Sequence, residues 1–187
     1  MLHEAAWRTR VRDGERWLEA EALLAQRHLK QSIPAYLRGA RVLHVLTAPV
    51  IYSLFLPFVV LDAWVSAYQA ICFPIYGIAP VRRRDYFVVD RERLGYLNGI
   101  EKANCFFCSY VNGLISYVRE VASCTEQFWC PIRHSTAIRD AHRRYDSFFE
   151  FGDAQGYRDG LAGKRAALGP QREACDPKDA ETERGRP

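Results

Sequence analysis

The stretch that decides the fold is Val42–Val81, VLHVLTAPVIYSLFLPFVVLDAWVSAYQAICFPIYGIAPV, in which Asp62 is the one side chain charged at neutral pH. A helix needs about 20 apolar residues to cross the hydrocarbon core of a bilayer. The block is too long for one upright span and just long enough for two short ones. We expect a transmembrane or re-entrant hairpin with Asp62 near its tip, and one tilted span as the alternative. An acid within a membrane is also a functional candidate.

Basic residues flank this block on both sides: Arg38 and Arg41 precede it, and the three arginines 82–84 follow it. Positively charged residues are retained on the cytoplasmic side of a membrane, so we expect both termini in the cytoplasm. The chain is 49% hydrophobic and 26% charged, with a net charge of +4. This composition excludes a disordered protein and is too mildly basic to indicate nucleic acid binding. Membrane lipid is therefore the first partner that the sequence predicts.

Outside the block, apolar residues recur at the spacing of amphipathic helices. The predicted elements are a helix over 14–31, a helix over 91–103 capped by Asp90, a helix over 106–121, a third helix of the same region capped by Ser135, and a short candidate strand at Tyr86–Val89. Glycines 152, 156 and 160 are expected to break the helical structure that follows.

These elements predict an all-α, membrane-anchored fold in which the hairpin adjoins a small, cysteine-rich cytoplasmic domain of three helices. The predicted domains are an amphipathic N-terminal segment (1–41), the membrane hairpin (42–81), a cytoplasmic helical metal-binding domain (82–160) and a disordered tail (161–187).

The cysteines carry the clearest chemical signal in the sequence. Cys105 and Cys108 form a C-x-x-C pair, whose spacing lets two thiolates bind one metal ion from a single turn. Cys130 and His134 are four residues apart and share a face if that turn is helical. Two such pairs make a tetrahedral Cys₃His site, or a Cys₄ site if Cys124 replaces the histidine.

The expected helix geometry helps to choose the fourth ligand. A helix over 106–121 rises about 24 Å and leaves Cys124 far from the C-x-x-C pair. Cys130 can return to that pair if residues 122–130 are extended. Cys124 remains the alternative fourth ligand if the helix ends early, near Gly113. The favoured ligand set is Cys105, Cys108, Cys130 and His134.

Zinc is the favoured metal, and an iron–sulfur cluster is the alternative because a proline follows Cys130, as in ferredoxin-type clusters. Other interpretations of the cysteines are two disulfides with inverted topology, a thioredoxin-like redox pair, and buried cysteines without a ligand. Glu101, Glu120 and Glu126 are either partners that orient His134 or ordinary charges on a helix surface.

Four segments carry a resemblance to a known family: YQAICFPIYG at 68–77, RRDYFVVDR at 83–91, YLNGIEKANCFFCSY at 96–110 and TEQFWCPIRH at 125–134. Between about Val50 and Tyr157 the chain resembles a family of proteobacterial membrane proteins that has no assigned activity. The resemblance implies a location in the bacterial inner membrane. It also implies the Cys₃His ligand set, because the family's position matching Cys124 tends not to be cysteine.

The sequence has no phosphate-binding loop, dinucleotide-binding fingerprint or hydrolase nucleophile elbow. We therefore expect a non-catalytic accessory or assembly subunit of a larger membrane complex, with a structural metal and no identified small-molecule substrate. The alternatives are an iron–sulfur or thiol-based electron-transfer protein and a monotopic lipid-binding protein. The expected contacts with a membrane-protein partner are Phe128, Trp129 and a basic face made by Arg133, Arg139, His142, Arg143 and Arg144.

Overall fold

The computed structural model describes residues 9–12, 15–18 and 20–169 of the chain. The described residues are mainly helical, which confirms the α-helical part of the predicted fold class. The helices are α1 (Ala20–Arg27), α2 (Ile33–Gly39), α3 (Val42–Ser53), α4 (Phe55–Tyr76), α5 (Gly99–Trp129) and α6 (Ala154–Ala166). Two strands, β1 (Thr9–Arg12) and β2 (Glu15–Leu18), pair antiparallel with Thr9 opposite Leu18. Single 3₁₀ turns occur at Arg83–Asp85, Arg91–Arg93 and Tyr145–Ser147.

The apolar block forms helix rather than a hairpin. Leu54, the residue between α3 and α4, has helical backbone angles (φ −62°, ψ −19°). The segment Val42–Tyr76 is therefore a helix of 35 residues that is long and apolar enough to cross a membrane. The predicted hairpin with its tip at Asp62 is wrong, because Asp62 lies inside α4. Pro57 follows the single turn residue Leu54 and lies in the first turn of α4, where the N–H that a proline lacks would be unpaired.

The chain divides into two compact units. The first comprises the described residues up to Phe55 together with Val88–Val111. A capping box starts α5 in this unit: Asn98 Oδ1 accepts hydrogen bonds from the backbone N–H groups of Ile100 (2.9 Å) and Glu101 (3.0 Å). The Glu101 carboxylate in turn accepts from the Asn98 N–H at 2.8 Å. Three otherwise unpaired backbone donors at the helix start are satisfied in this way.

The second unit comprises Leu56–Phe87 and the described residues from Asn112 onward. Its core is built on α5, where Leu114, Tyr117, Val121 and Cys124 recur at intervals of three and four residues and are all buried. Gly113 on the same helix admits a close neighbour, because a Cβ there would lie 2.5 Å from the carbonyl oxygen of Tyr86.

Several predicted elements differ from the observed ones before α5. Within the predicted helix 14–31 the chain forms β2 and then α1. Only the 3₁₀ turn Arg91–Arg93 forms in the first part of the predicted helix 91–103, because the cap that starts the long helix is Asn98 rather than Asp90. Tyr86–Val89 is not a strand. The predicted helix 106–121 is confirmed as the middle of α5.

After α5 the differences have clear local causes. The helix predicted from Ser135 does not form, and residues 135–144 are irregular. A break was expected at Gly156 and Gly160, but helix α6 runs through both glycines. The Asp153 side chain caps the start of this helix by accepting from the Gly156 N–H at 2.8 Å. Gly160 packs against the Phe149 ring, which leaves no room for a side chain. The predicted tail is helical up to Ala166, and its part from residue 170 lies outside the described residues.

Candidate functional site

The two pairs of residues predicted to bind a metal lie in different backbone conformations. Cys105 and Cys108 lie one turn apart on α5, as predicted. Cys130 follows the end of that helix, and the chain beyond it is extended because Ile132 forms a parallel bridge with Phe149. The expected shared helical face of Cys130 and His134 is therefore wrong.

The long helix α5 separates the two pairs along the chain. It runs without interruption for 31 residues, a rise of about 46 Å, and the expected extended return through residues 122–130 is wrong because that segment is helical up to Trp129. Cys124 is fully buried in the apolar core. In the part of the chain that the structure describes, no group of three His, Cys, Asp or Glu side chains is placed to hold a metal ion. Zinc and the iron–sulfur alternative stay predictions.

A buried polar cluster centres on Glu120 in the second unit. Glu120 Oε1 accepts hydrogen bonds from Arg143 Nη2 at 2.7 Å and from Arg144 Nη2 at 3.0 Å. Arg144 Nη1 also donates to Gln127 Oε1 at 3.1 Å. Because the Glu120 side chain is only 9% exposed, these charge-assisted bonds form where water competes weakly. Two arginines of the predicted basic face thus hold the chain against α5.

The other predicted polar residues also pair within the fold. Glu126 Oε2 lies 2.8 Å from His142 Nε2. His134 instead stacks on the ring of Tyr145, whose hydroxyl accepts from the His134 backbone N–H at 2.7 Å. Arg133 Nη1 donates to Glu150 Oε1 at 2.5 Å. These groups connect the segment after α5 to its neighbours, and neither Glu120 nor Glu126 is seen oriented toward His134.

A charged pair lies on the apolar helix α4. Arg83 binds the carboxylate of Asp62 with two hydrogen bonds, Nη2 to Oδ2 at 2.5 Å and Nε to Oδ1 at 3.2 Å. Ser66 Oγ donates to the same carboxylate at 3.4 Å. Two turns further along, the Gln69 side chain forms two hydrogen bonds with the backbone of Val81, donating at 3.2 Å and accepting at 3.0 Å. The segment 81–83 therefore runs antiparallel along one face of α4.

The opposite face of α4 is apolar and exposed. At 3.6 residues per turn, Asp62, Ser66 and Gln69 fall within an arc of about 60° around the helix axis. The large apolar residues of α4 that are more than half exposed fall within an arc of about 100° on the other side, and the less exposed Phe55 and Val59 (39% each) lie outside that arc. We call this set the apolar row; it consists of Leu56, Val60, Trp64, Ile71 and Ile75, with Trp64 77% exposed.

The first unit contains a cavity of about 570 Å³ between α2, α3 and the start of α5. Its lining is mainly apolar, with polar groups from Tyr36, His44, Tyr52 and Asn104. The Tyr52 hydroxyl donates to Asn104 Oδ1 inside this lining. The sequence carried no signal for the cavity, because its walls combine α2 and α3 with the start of α5, which lies more than 40 residues further along the chain.

No family model, curated protein or solved structure matches this chain. The features of this chain that bear on its function are the charged pairs, the exposed apolar helix and the aromatic residues at the end of α5.

Proposed function

We propose that this protein is a membrane-anchored accessory subunit that attaches through α3 and α4 and binds a larger membrane-protein assembly through the surface around Trp129. The observation that supports the membrane attachment is that none of the residues in the most apolar stretch of Val42–Tyr76 is buried within the described part of the chain. A contiguous apolar surface of this kind marks a membrane or protein interaction site.

The charge arrangement of the second unit supports a binding role over a catalytic one. Glu120 binds two arginines and Glu126 binds His142. These contacts connect α5 to the segment that follows it, so the titratable groups stabilise the fold. Buried polar groups that hydrogen-bond one another favour a single conformation of the unit.

The partner surface that we propose is narrower than the one expected from the sequence. Arg133, Arg143 and Arg144 bind within the unit. Phe128 stacks on Tyr76 and lies under the Arg165 guanidinium, so it packs internally. Trp129 is next to Phe128 and keeps about half of its surface exposed. Exposed aromatic side chains of this type dominate the energetics of protein interfaces.

Membrane attachment is tested by sedimentation with vesicles. The double variant Trp64→Ser/Ile71→Ser removes two exposed apolar residues from α4 and should release the protein into the supernatant. The matched control Ile138→Ser/Phe151→Ser removes two exposed apolar residues elsewhere in the chain and should stay bound. If the wild-type protein does not sediment with vesicles, the proposed attachment is refuted.

The accessory role is tested by native electrophoresis of membranes extracted in a mild detergent. The wild-type chain should migrate in an assembly much larger than its own 21.5 kDa. Trp129→Ala should release it, while Tyr96→Ala, which also removes an exposed aromatic ring, should not. Migration of the wild-type chain alone would refute the accessory role and leave the attachment standing.

A further inference from the structure

Helix α4 has the length of a membrane span. Its 22 residues rise about 33 Å, which matches a hydrocarbon core of about 30 Å. Helix α3, with 12 residues, rises about 18 Å and is too short to span alone, and Val42–Tyr76 as a whole rises about 52 Å, more than one upright span needs. If α4 spanned the bilayer upright, the middle of the membrane would fall between Val65 and Ser66.

The hydrogen bonds that Asp62 and Gln69 make on α4 are not compatible with an upright span. In an upright span, both Asp62 and Gln69 would lie about 5 Å from the bilayer midplane, one on each side. The segment 81–83 is hydrogen-bonded to both side chains and would lie at the same depth. Arg82, Arg83 and Arg84 would then be placed at the centre of the hydrocarbon, where charged side chains are costly.

The exposure of these arginines would add to the free-energy cost of an upright span. The Asp62 side chain is 14% exposed and is neutralised by Arg83. Arg84 is 82% exposed, and its Nε lies 3.8 Å from the carboxylate of its neighbour Asp85. An exposed arginine at that depth would contact lipid tails directly. In water or among headgroups, the same arginine remains hydrated.

The two opposite faces of α4 fit a helix that lies in the plane of the membrane. An interfacial helix has an apolar face buried just below the headgroups and a polar face toward water. The apolar row supplies the first face, and the face bearing Asp62 and Gln69, covered by segment 81–83, supplies the second. The arginines 82–84 would then lie within reach of the field of anionic headgroups.

We infer that α4 is an interfacial helix: its apolar row enters one leaflet of an anionic bilayer, and the Asp62–Arg83 pair keeps the opposite face, with its arginines, outside the hydrocarbon. The occupant of the apolar row is lipid. This inference rests on the proposed membrane attachment and specifies its geometry.

Depth-dependent fluorescence quenching tests the inference. Trp64 becomes the sole tryptophan in the variant Trp7→Phe/Trp17→Phe/Trp129→Phe, whose helix content is checked by circular dichroism. The vesicles contain phosphatidylethanolamine and phosphatidylglycerol, with bromines near the headgroups or near the chain ends. Headgroup-proximal bromines should quench Trp64 more strongly. An upright α4 would place Trp64 about 2 Å from the midplane, so stronger quenching by the chain-end bromines would overturn the inference.

A second measurement locates the arginine segment without removing any tryptophan. Arg84→Cys, bound to intact vesicles, is treated with a membrane-impermeant maleimide, and the labelled position is identified by mass spectrometry. It should react within two-fold of the rate of Asp140→Cys, which replaces another highly exposed side chain of the same unit. If position 84 reacts more than ten-fold more slowly than position 140, and detergent removes this difference, the in-plane placement is overturned.

The outcomes separate the two proposals. If the wild-type protein fails to bind these vesicles, the membrane attachment itself is refuted. Binding with deep quenching of Trp64, or with protection at position 84, refutes the in-plane helix alone. Binding in which neither set of bromines quenches Trp64 assigns the apolar row to a protein partner and overturns lipid as its occupant.

Discussion

Replacing Glu120 by Gln tests whether the buried cluster stabilises the second unit. The substitution keeps the volume of the side chain and removes the charge that binds Arg143 and Arg144 at 2.7 and 3.0 Å. A hydrogen bond to a charged group contributes about 1.5–3 kcal/mol, and the loss is reduced where the partners keep some contact with water. Both arginines are partly exposed, so we expect the free energy of unfolding to fall by about 2–4 kcal/mol.

Thermal unfolding in mild detergent, followed by circular dichroism, measures this loss. For a chain of this size, 1 kcal/mol corresponds to roughly 2–4 °C, so Glu120→Gln should lower Tm by about 4–16 °C. The matched control is Asp140→Asn, which removes the carboxylate of an exposed pair with Arg119 (3.1 Å) and should cost less than about 1 kcal/mol. The double variant Glu120→Gln/Arg143→Gln should be less destabilised than the sum of the single variants.

Equal effects of Glu120→Gln and Asp140→Asn would refute the reasoning, since the buried pair would then contribute no more than an exposed one. Full additivity of Glu120→Gln and Arg143→Gln would also contradict it, because additivity means that the two side chains do not interact.

The remaining predictions concern the cysteines, two glycines and one arginine. In urea unfolding, Cys124→Ala should lower the free energy of unfolding by about 1 kcal/mol because its sulfur is buried. Cys108→Ala, at an exposed position, should change it by less than about 0.5 kcal/mol. A metal bound by Cys108 would reverse this order. Gly113→Ala should destabilise by about 1–3 kcal/mol through its clash with the Tyr86 carbonyl, while Gly163→Ala, with open space around it on α6, should raise Tm. Arg84→Gln should weaken binding to phosphatidylglycerol vesicles by up to about five-fold and leave binding to neutral vesicles unchanged.

Much of the fold follows from local sequence patterns. The apolar composition of Val42–Tyr76 is enough to predict a long apolar helix, and the apolar spacing of 106–121 is enough to predict the middle of α5. The ends of the elements were harder to predict. Asp90 and Asn98 are both good N-cap residues, and only Asn98 is followed at the third position by a glutamate that completes a capping box.

The polar partners could not be predicted from spacing in the sequence. His134 lies four residues from Cys130 along the chain, yet its ring stacks on Tyr145, 11 residues away. Glu120 binds arginines more than 20 residues away, and the sequence offered each of these charges several alternative partners. The C-x-x-C spacing predicted a metal site because two thiolates on one helical turn can bind the same ion. Cys105 and Cys108 do share a helical turn, whereas Cys130 and His134 do not.

By itself, the sequence determined that the chain is helical and that one segment is apolar enough to enter a membrane, because both properties depend on residue type and on spacing along a single helix. Only the tertiary structure decided which side of that segment is exposed. Arg83 and Val81 bind Asp62 and Gln69 across a turn of the chain, and these hydrogen bonds cover one face of α4 while the apolar row stays open. The pairing depends on the path of the backbone after Tyr76, which no periodicity within the helix encodes.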